Sequence, residues 1–235
     1  MENFVAIEPY LSRLESSRYD TDALLRDLAT HMPPSPRVLD LGCGAGTSID
    51  WFQELLDSPD WHGVDIADSP EVRARTRHST AISTFDGINL PYANNSFDLI
   101  FSNQVLEHVR HPDALMCDAF RVLRPGGIIA GAVSYLEPFH SYSVFNFTPY
   151  GIAAVLGDAG FTVTELRAGS DASRLLNRQL MNRSQMLRIF WNPNYVHLLC
   201  SLVGGLFRLD HAEQNFLKLQ FAGHIFFKAK KTEDL

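Results

Sequence analysis

With 235 residues, 46% of them hydrophobic and 20% charged, the chain is long enough for one packed domain and too apolar to be disordered. A net charge of -7, with no Lys/Arg-rich block, disfavours a nucleic-acid backbone as the main partner. Cys43, Cys117 and Cys200 are widely separated and form no CxxC or Cys/His cluster, so neither a disulfide framework nor a metal site is indicated.

The start, MENFVAIEPYLSRLE, carries early acids and does not read as a signal peptide. Apolar positions Leu11, Leu14, Leu24, Leu25 and Leu28 predict a helix over 8–31, within an N-terminal helical segment of residues 1–32 that the prolines at 33, 34 and 36 close. RVLDL (37–41) reads as a short buried strand, and TSIDWFQELL (47–56) as a helix. Strands are expected at 61–66, 80–87 and 96–103. A helix is expected at 111–123, with Pro112 at an early position that tolerates it. Arg124 to Gly127 reads as a turn before a fifth strand at 127–134. A helix at 148–160, a sixth strand at 161–167 and a last strand at 222–231 complete the pattern. Alternating strands and helices imply parallel βαβ units in a doubly wound α/β sheet, one domain over 1–235. Residues 168–221 break the rhythm and are too long for a loop. They predict a helical insertion or cap of two or three helices. The longest apolar run, 196–207, covers 12 residues, short of the roughly 20 a membrane span needs. No stable membrane insertion is expected, and a cytoplasmic location is the default.

The stretch VLDLGCGAG (38–46) carries the functional signal. Gly42, Gly44 and Gly46 follow the first strand directly, where open parallel sheets bind ligands. A nicotinamide site would require a glycine where Thr47 stands, and a P-loop would require Gly-Lys-Ser/Thr, which is missing. Asp40 precedes the glycines and Asp65 ends the second strand. A carboxylate at Asp65 can accept both hydroxyls of a ribose, and an acid facing the turn suits a ligand bearing a cation.

These residues, with GVDI, FDGINLPYANNSFDLIFSNQVLEHV and RVLRPGG, resemble the class I S-adenosylmethionine-dependent methyltransferases over roughly 37–134. The resemblance implies a Rossmann-like, seven-stranded, mostly parallel sheet. Its last strand is antiparallel and inserted beside the sixth, and the helical insertion precedes that strand. It implies S-adenosylmethionine as cofactor. Gly42, Gly44 and Gly46 would line the methionine part, and Asp40 would hold the ammonium directly or through water. Asp65 would bind the ribose, Ile66 would lie against the adenine, and Asp86 beside Gly87 would accept from the adenine amino group. Asn103 would lie near the methyl donor. Asp86 has a competing reading as a turn residue, since Asp-Gly is also a turn signal.

An alcohol acceptor benefits from a general base, and His is suited to that near neutral pH. His108 (in NQVLEHV) and His140 (in YLEPFHSYSVFNFTPYG) lie just past the fourth and fifth strands, and Glu137 is a third candidate. Each has a bland alternative in packing or solvation. The fourth strand ends SNQV, without the Asn-Pro-Pro-Tyr pattern of amino-methylating nucleic-acid enzymes. The acidic charge agrees, so no nucleic-acid partner is expected. The expected function is methyl transfer to a small-molecule acceptor, most readily a hydroxyl oxygen of a sugar or other biosynthetic intermediate. Two alternatives stand beside it: a non-catalytic scaffold subunit that keeps the fold, and a lipid-linked acceptor met by the arginine-interleaved apolar residues of the insertion. The plainer reading of that insertion packs its apolar face on the sheet with the arginines in water.

Overall fold

The computed structural model describes residues 2–14, 19–76, 81–137 and 142–232. Seven strands form one sheet: β1 (Arg37–Leu41), β2 (Asp60–Ile66), β3 (Ile82–Phe85), β4 (Phe97–Asn103), β5 (Leu123–Ser134), β6 (Thr162–Ala168) and β7 (His224–Lys230). Their order is β3-β2-β1-β4-β5-β7-β6. Only β7 runs against its neighbours, filling the slot between β5 and β6. The expected doubly wound, seven-stranded, mostly parallel sheet is present.

Both faces of the central strands are covered, so their side chains alternate between two apolar cores. Leu39 and Leu41 of β1 and Ile100 of β4 join one core. Val38, Leu99 and Phe101 join the other. Helices α1 (Glu2–Ile7), α5 (Pro112–Val122) and α6 (Pro149–Asp158) serve the first core. Helices α2 (Thr21–Ala29) and α3 (Ser48–Leu55) serve the second. A short α4 (Pro70–Arg73), capped by the Ser69 side chain, stands beyond β2.

Two local expectations are corrected. The single helix over 8–31 is instead α1, a 3-10 turn at Glu8–Tyr10 and a separate α2. Pro9 lies in that turn, and Asp20 caps α2 by accepting from the amide of Ala23. Between them Leu11 bridges Leu166 of β6, so the N-terminal segment covers the outer sheet edge. The second correction concerns Arg124 to Gly127, which is a bulge inside β5 and not a turn before it. Leu123 and Ile128 both pair with β4, at Phe97 and Leu99, and the intervening residues loop out.

The insertion between β6 and β7 holds four helices where two or three were expected: α7 (Ala172–Leu180), α8 (Arg188–Trp191), α9 (Tyr195–Leu206) and α10 (His211–Leu219). One buried carboxylate organises it. Asp171 accepts from Arg174 N of α7 at 2.9 Å and from Val196 N and His197 N of α9, both at 3.1 Å. It therefore satisfies the open amide ends of two helices at once. Asn215 of α10 ties the insertion to β6, donating to Leu166 O at 2.7 Å and accepting from Ala168 N at 3.2 Å.

Candidate active site

The parallel strands deliver their carboxyl ends to one edge of the sheet, and a cleft of about 860 Å³ opens there. That lies within the range of small-ligand sites. Gly42 and Gly44, Asp65 and Ile66, Asp86 and Gly87, and Asn103 and His108 all line it.

The turn after β1 is built for close approach. Gly42 sits at φ +73°, where an added Cβ would lie 2.4 Å from a methyl of Val105. Only glycine meets both conditions. The amides of Gly42 and Cys43 donate to Val64 O, and Gly44 N donates to Oδ2 of Asp65 at 2.6 Å. Oδ1 of Asp65 accepts from Ile66 N at 2.7 Å. Arg75 donates to the Gly44 carbonyl at 2.7 and 2.9 Å, fixing the turn from the other side. Burial, with Asp40 and Asp65 nearby, raises the Cys43 thiol to about 12, so it stays neutral.

Asp40 does not line the cleft. It is buried beneath the turn and accepts from the Ser48 hydroxyl. Burial raises its pKa to about 7; the Ser48 hydrogen bond opposes this, and the charge of Asp65 adds to it. Gly46 also lies outside the lining, closing the turn through Gly46 N to Cys43 O at 2.8 Å. Asp86 closes the loop after β3, accepting from Ile88 N, Asn89 N and Asn89 Nδ2. The Asn89 side chain, followed by these amides, lowers its pKa to about 2. The turn role is thus present, with Oδ2 accepting from Asn89 Nδ2 at 2.7 Å. Gly87, at φ +93°, has open space where a Cβ would point. Asp118 and Arg121 of α5 brace the loop that follows, through Leu90 N, Leu90 O and Tyr92 O.

Past β4, His108 ends a 3-10 turn at Leu106–His108 and is half-buried in the lining. His111, at the start of α5, also reaches the rim, with Arg110. His140 lies outside the described residues. Glu137 does not line the cleft. Its Oε2 lies 2.8 Å from the Ser134 hydroxyl and 3.1 Å from Nε2 of His224. The same hydroxyl lies 2.9 Å from Glu107 and 3.0 Å from Oε1 of Gln104, which does line the cleft. Gln104 holds φ +59°, an uncommon conformation for a side chain of its size. Sequence reasoning missed Gln104, Ser134 and His224. The backbone angle of Gln104 has no composition signal, and His224 reaches Glu137 only because β7 pairs it with Ser134.

The glycine turn, the open space at Gly87 and the acid at Asp65 fit a nucleoside bearing a small cationic tail. Residues 39–131 match the family described as "Methyltransferase domain". In this match, and in its fold and strand order, the chain is similar to the class I S-adenosylmethionine-dependent methyltransferases. Among its relatives, an arsenite methyltransferase of Halobacterium salinarum is 28% identical over 62% of this chain and 42% of its own length. A malonyl-[acyl-carrier protein] O-methyltransferase of Methylococcus capsulatus is 32% identical over 46% of this chain and 41% of its own. The chain thus spans less than half the length of either relative. Among solved structures, a chain from the complex of the Haloferax volcanii Trm112 methyltransferase activator with a methyltransferase superposes with a TM-score of 0.59. It is 18% identical and matches over 89% of both chains, which bears on the fold alone.

Proposed function

We propose that the protein transfers a methyl group from S-adenosylmethionine to an oxygen of a small-molecule acceptor. One observation carries this reading: the same cleft is lined by the glycine turn, Asp65, Asn103 and His108. Gly42, Gly44, Asp65, Ile66 and Gly87 would hold the nucleoside and its tail. Asp40, one layer below, would answer the ammonium through water. When bound, the cofactor supplies an electrophilic methyl on a sulfonium.

The chain's own task is to bring the acceptor oxygen in line, exclude water and take up its proton. His108 is the base at the cleft surface. Glu137 would have to act through Ser134 and Gln104, so it serves to hold that end of the cleft. Names among the relatives include an O-methyltransferase, which supports an oxygen acceptor without naming one.

Calorimetry with S-adenosylmethionine, followed by mass detection of methylated products over a panel of hydroxylated acceptors, tests this directly. Cofactor binding without turnover on any acceptor would favour the scaffold reading. Absence of cofactor binding would remove the assignment.

A further inference from the structure

We infer that helices α7 to α9 form a docking surface for an anionic lipid bilayer. The inference begins with α9. Its buried residues are His197, Cys200 and Gly204, which face inward, where α10 packs. Gly204 lies so close to Gln214 that a Cβ there would sit 2.7 Å from its Cγ. The leucines are on the other side. Leu198, Leu202 and Leu206 recur every four residues on one face, at 61%, 65% and 78% exposure. The insertion does bury Leu175, Trp191, Cys200 and Leu219, but these leucines of α9 face out, which departs from the expectation that its apolar face packs on the sheet. Leu180 of α7, Met186 of the 3-10 turn before α8 and Ile189 of α8 are also turned to solvent, at 82%, 92% and 73%. A folded domain rarely leaves so many large apolar side chains of one segment uncovered without a partner.

Charge names the partner. Residues 172–209 contain five arginines and no acid, in a chain whose net charge is -7. Arg178, Arg183, Arg188 and Arg208 are exposed. At physiological salt, charges farther than about 8 Å are screened, so this local excess governs contact, not the acidic remainder. Outward leucines interleaved with arginines suit a bilayer interface whose headgroups are anionic. A second copy of this chain fits less well, because a two-fold contact would set arginine against arginine. At roughly 1.5 Å per residue, α9 is too short to span a bilayer and would lie along its surface. Among the described residues, no helix is long and apolar enough to cross a membrane.

The placement has a consequence. β6 runs parallel to β5 in the sheet, and β7 starts beside its end, so the insertion springs from the edge where the cleft opens. A bilayer held there would present lipid-dissolved or lipid-linked acceptors on that side. That consequence rests on the methyl-transfer reading, whereas lipid binding does not.

The test is co-sedimentation of the full chain with phosphatidylcholine vesicles, pure or containing about 30% phosphatidylglycerol. The expected result is binding to the anionic vesicles that is at least about tenfold stronger than to the neutral ones and falls with salt. Leu198→Ser with Leu202→Ser and Leu206→Ser should lower it by at least about tenfold. Arg178→Gln with Arg183→Gln and Arg188→Gln should do the same at low salt, about fivefold per arginine. These side chains are exposed, with Arg178 also resting over the Trp191 ring at 5.8 Å, so S-adenosylmethionine affinity should stay as in the parent and the thermal midpoint should fall little. If the leucine variant does not fold, the arginine variant decides. Failure of the parent chain to pellet with anionic vesicles would overturn the inference, as would equal binding by parent and variants. A dimer that Leu202→Ser splits, in a chain that ignores vesicles, would overturn it in favour of self-association. Cofactor calorimetry on the same samples keeps loss of lipid binding separate from loss of the methyltransferase site.

Discussion

Gly44 donates its amide to the Asp65 carboxylate at 2.6 Å, joining the turn after β1 to the end of β2. The acid proposed to grip the ribose therefore also sets the shape of the turn proposed to hold the methionine part. Asp65→Ala should weaken S-adenosylmethionine binding by about 1–3 kcal/mol, through lost charge-assisted hydrogen bonds. Asp65→Asn, which keeps an acceptor for Gly44, should lose less. An unchanged dissociation constant for the alanine variant would remove the ribose assignment.

Asp40 makes cofactor affinity depend on pH. Its folded pKa is raised to about 7, so below that pH the free protein holds a proton on it. A cation arriving above the turn favours the carboxylate, and binding then releases that proton. Affinity should climb as pH rises toward about 7 and level off above it, and Asp40→Asn should flatten the profile. The same shift bears on stability, with the sign of a raised carboxylate. The unfolded chain loses its proton first, so the folded state loses ground as pH rises from about 4 to about 7. The thermal midpoint of Asp40→Asn relative to the parent should therefore increase over that range. A constant difference would show that Asp40 ionises normally.

His108 and the Ser134 cluster are separable by kinetics. His108→Ala should lower turnover by at least ~10²-fold while cofactor affinity is retained. Glu137→Gln and His224→Gln should act more weakly and mainly through acceptor KM, since neither residue lines the cleft. The companion variant His140→Ala tests the remaining histidine. Normal turnover in both histidine variants would leave in-line positioning as the source of rate.

Asp171 holds α7 and α9 together. Asp171→Ala removes the acceptor of three helix-start amides, Arg174, Val196 and His197. At about 1–2 kcal/mol per cap, the loss should be about 2–4 kcal/mol by urea denaturation. Hydrogen exchange should speed up first at the starts of α7 and α9. Uniform exchange across the sheet would place the stabilisation elsewhere.

The sequence by itself determined the strand and helix rhythm, the doubly wound sheet and the glycine turn with its two acids. These depend on local patterns: apolar runs of strand length, proline and glycine breaks, and turn residues directly after RVLDL. Gly42, Gly44, Asp65, Ile66, Asp86, Gly87, Asn103 and His108 all line the cleft for the same reason, since strand ends in a parallel sheet share one edge. The tertiary structure alone decided the rest. It buried Asp40 under the turn, drew Glu137 away from the cleft to Ser134 and His224, broke the N-terminal helix across the β6 edge and turned the leucines of α9 outward. Each depends on which distant element packs alongside. A helix with leucines on one face has the same local pattern whether that face meets a core or solvent, and only the packing of α10 against the other face settles it.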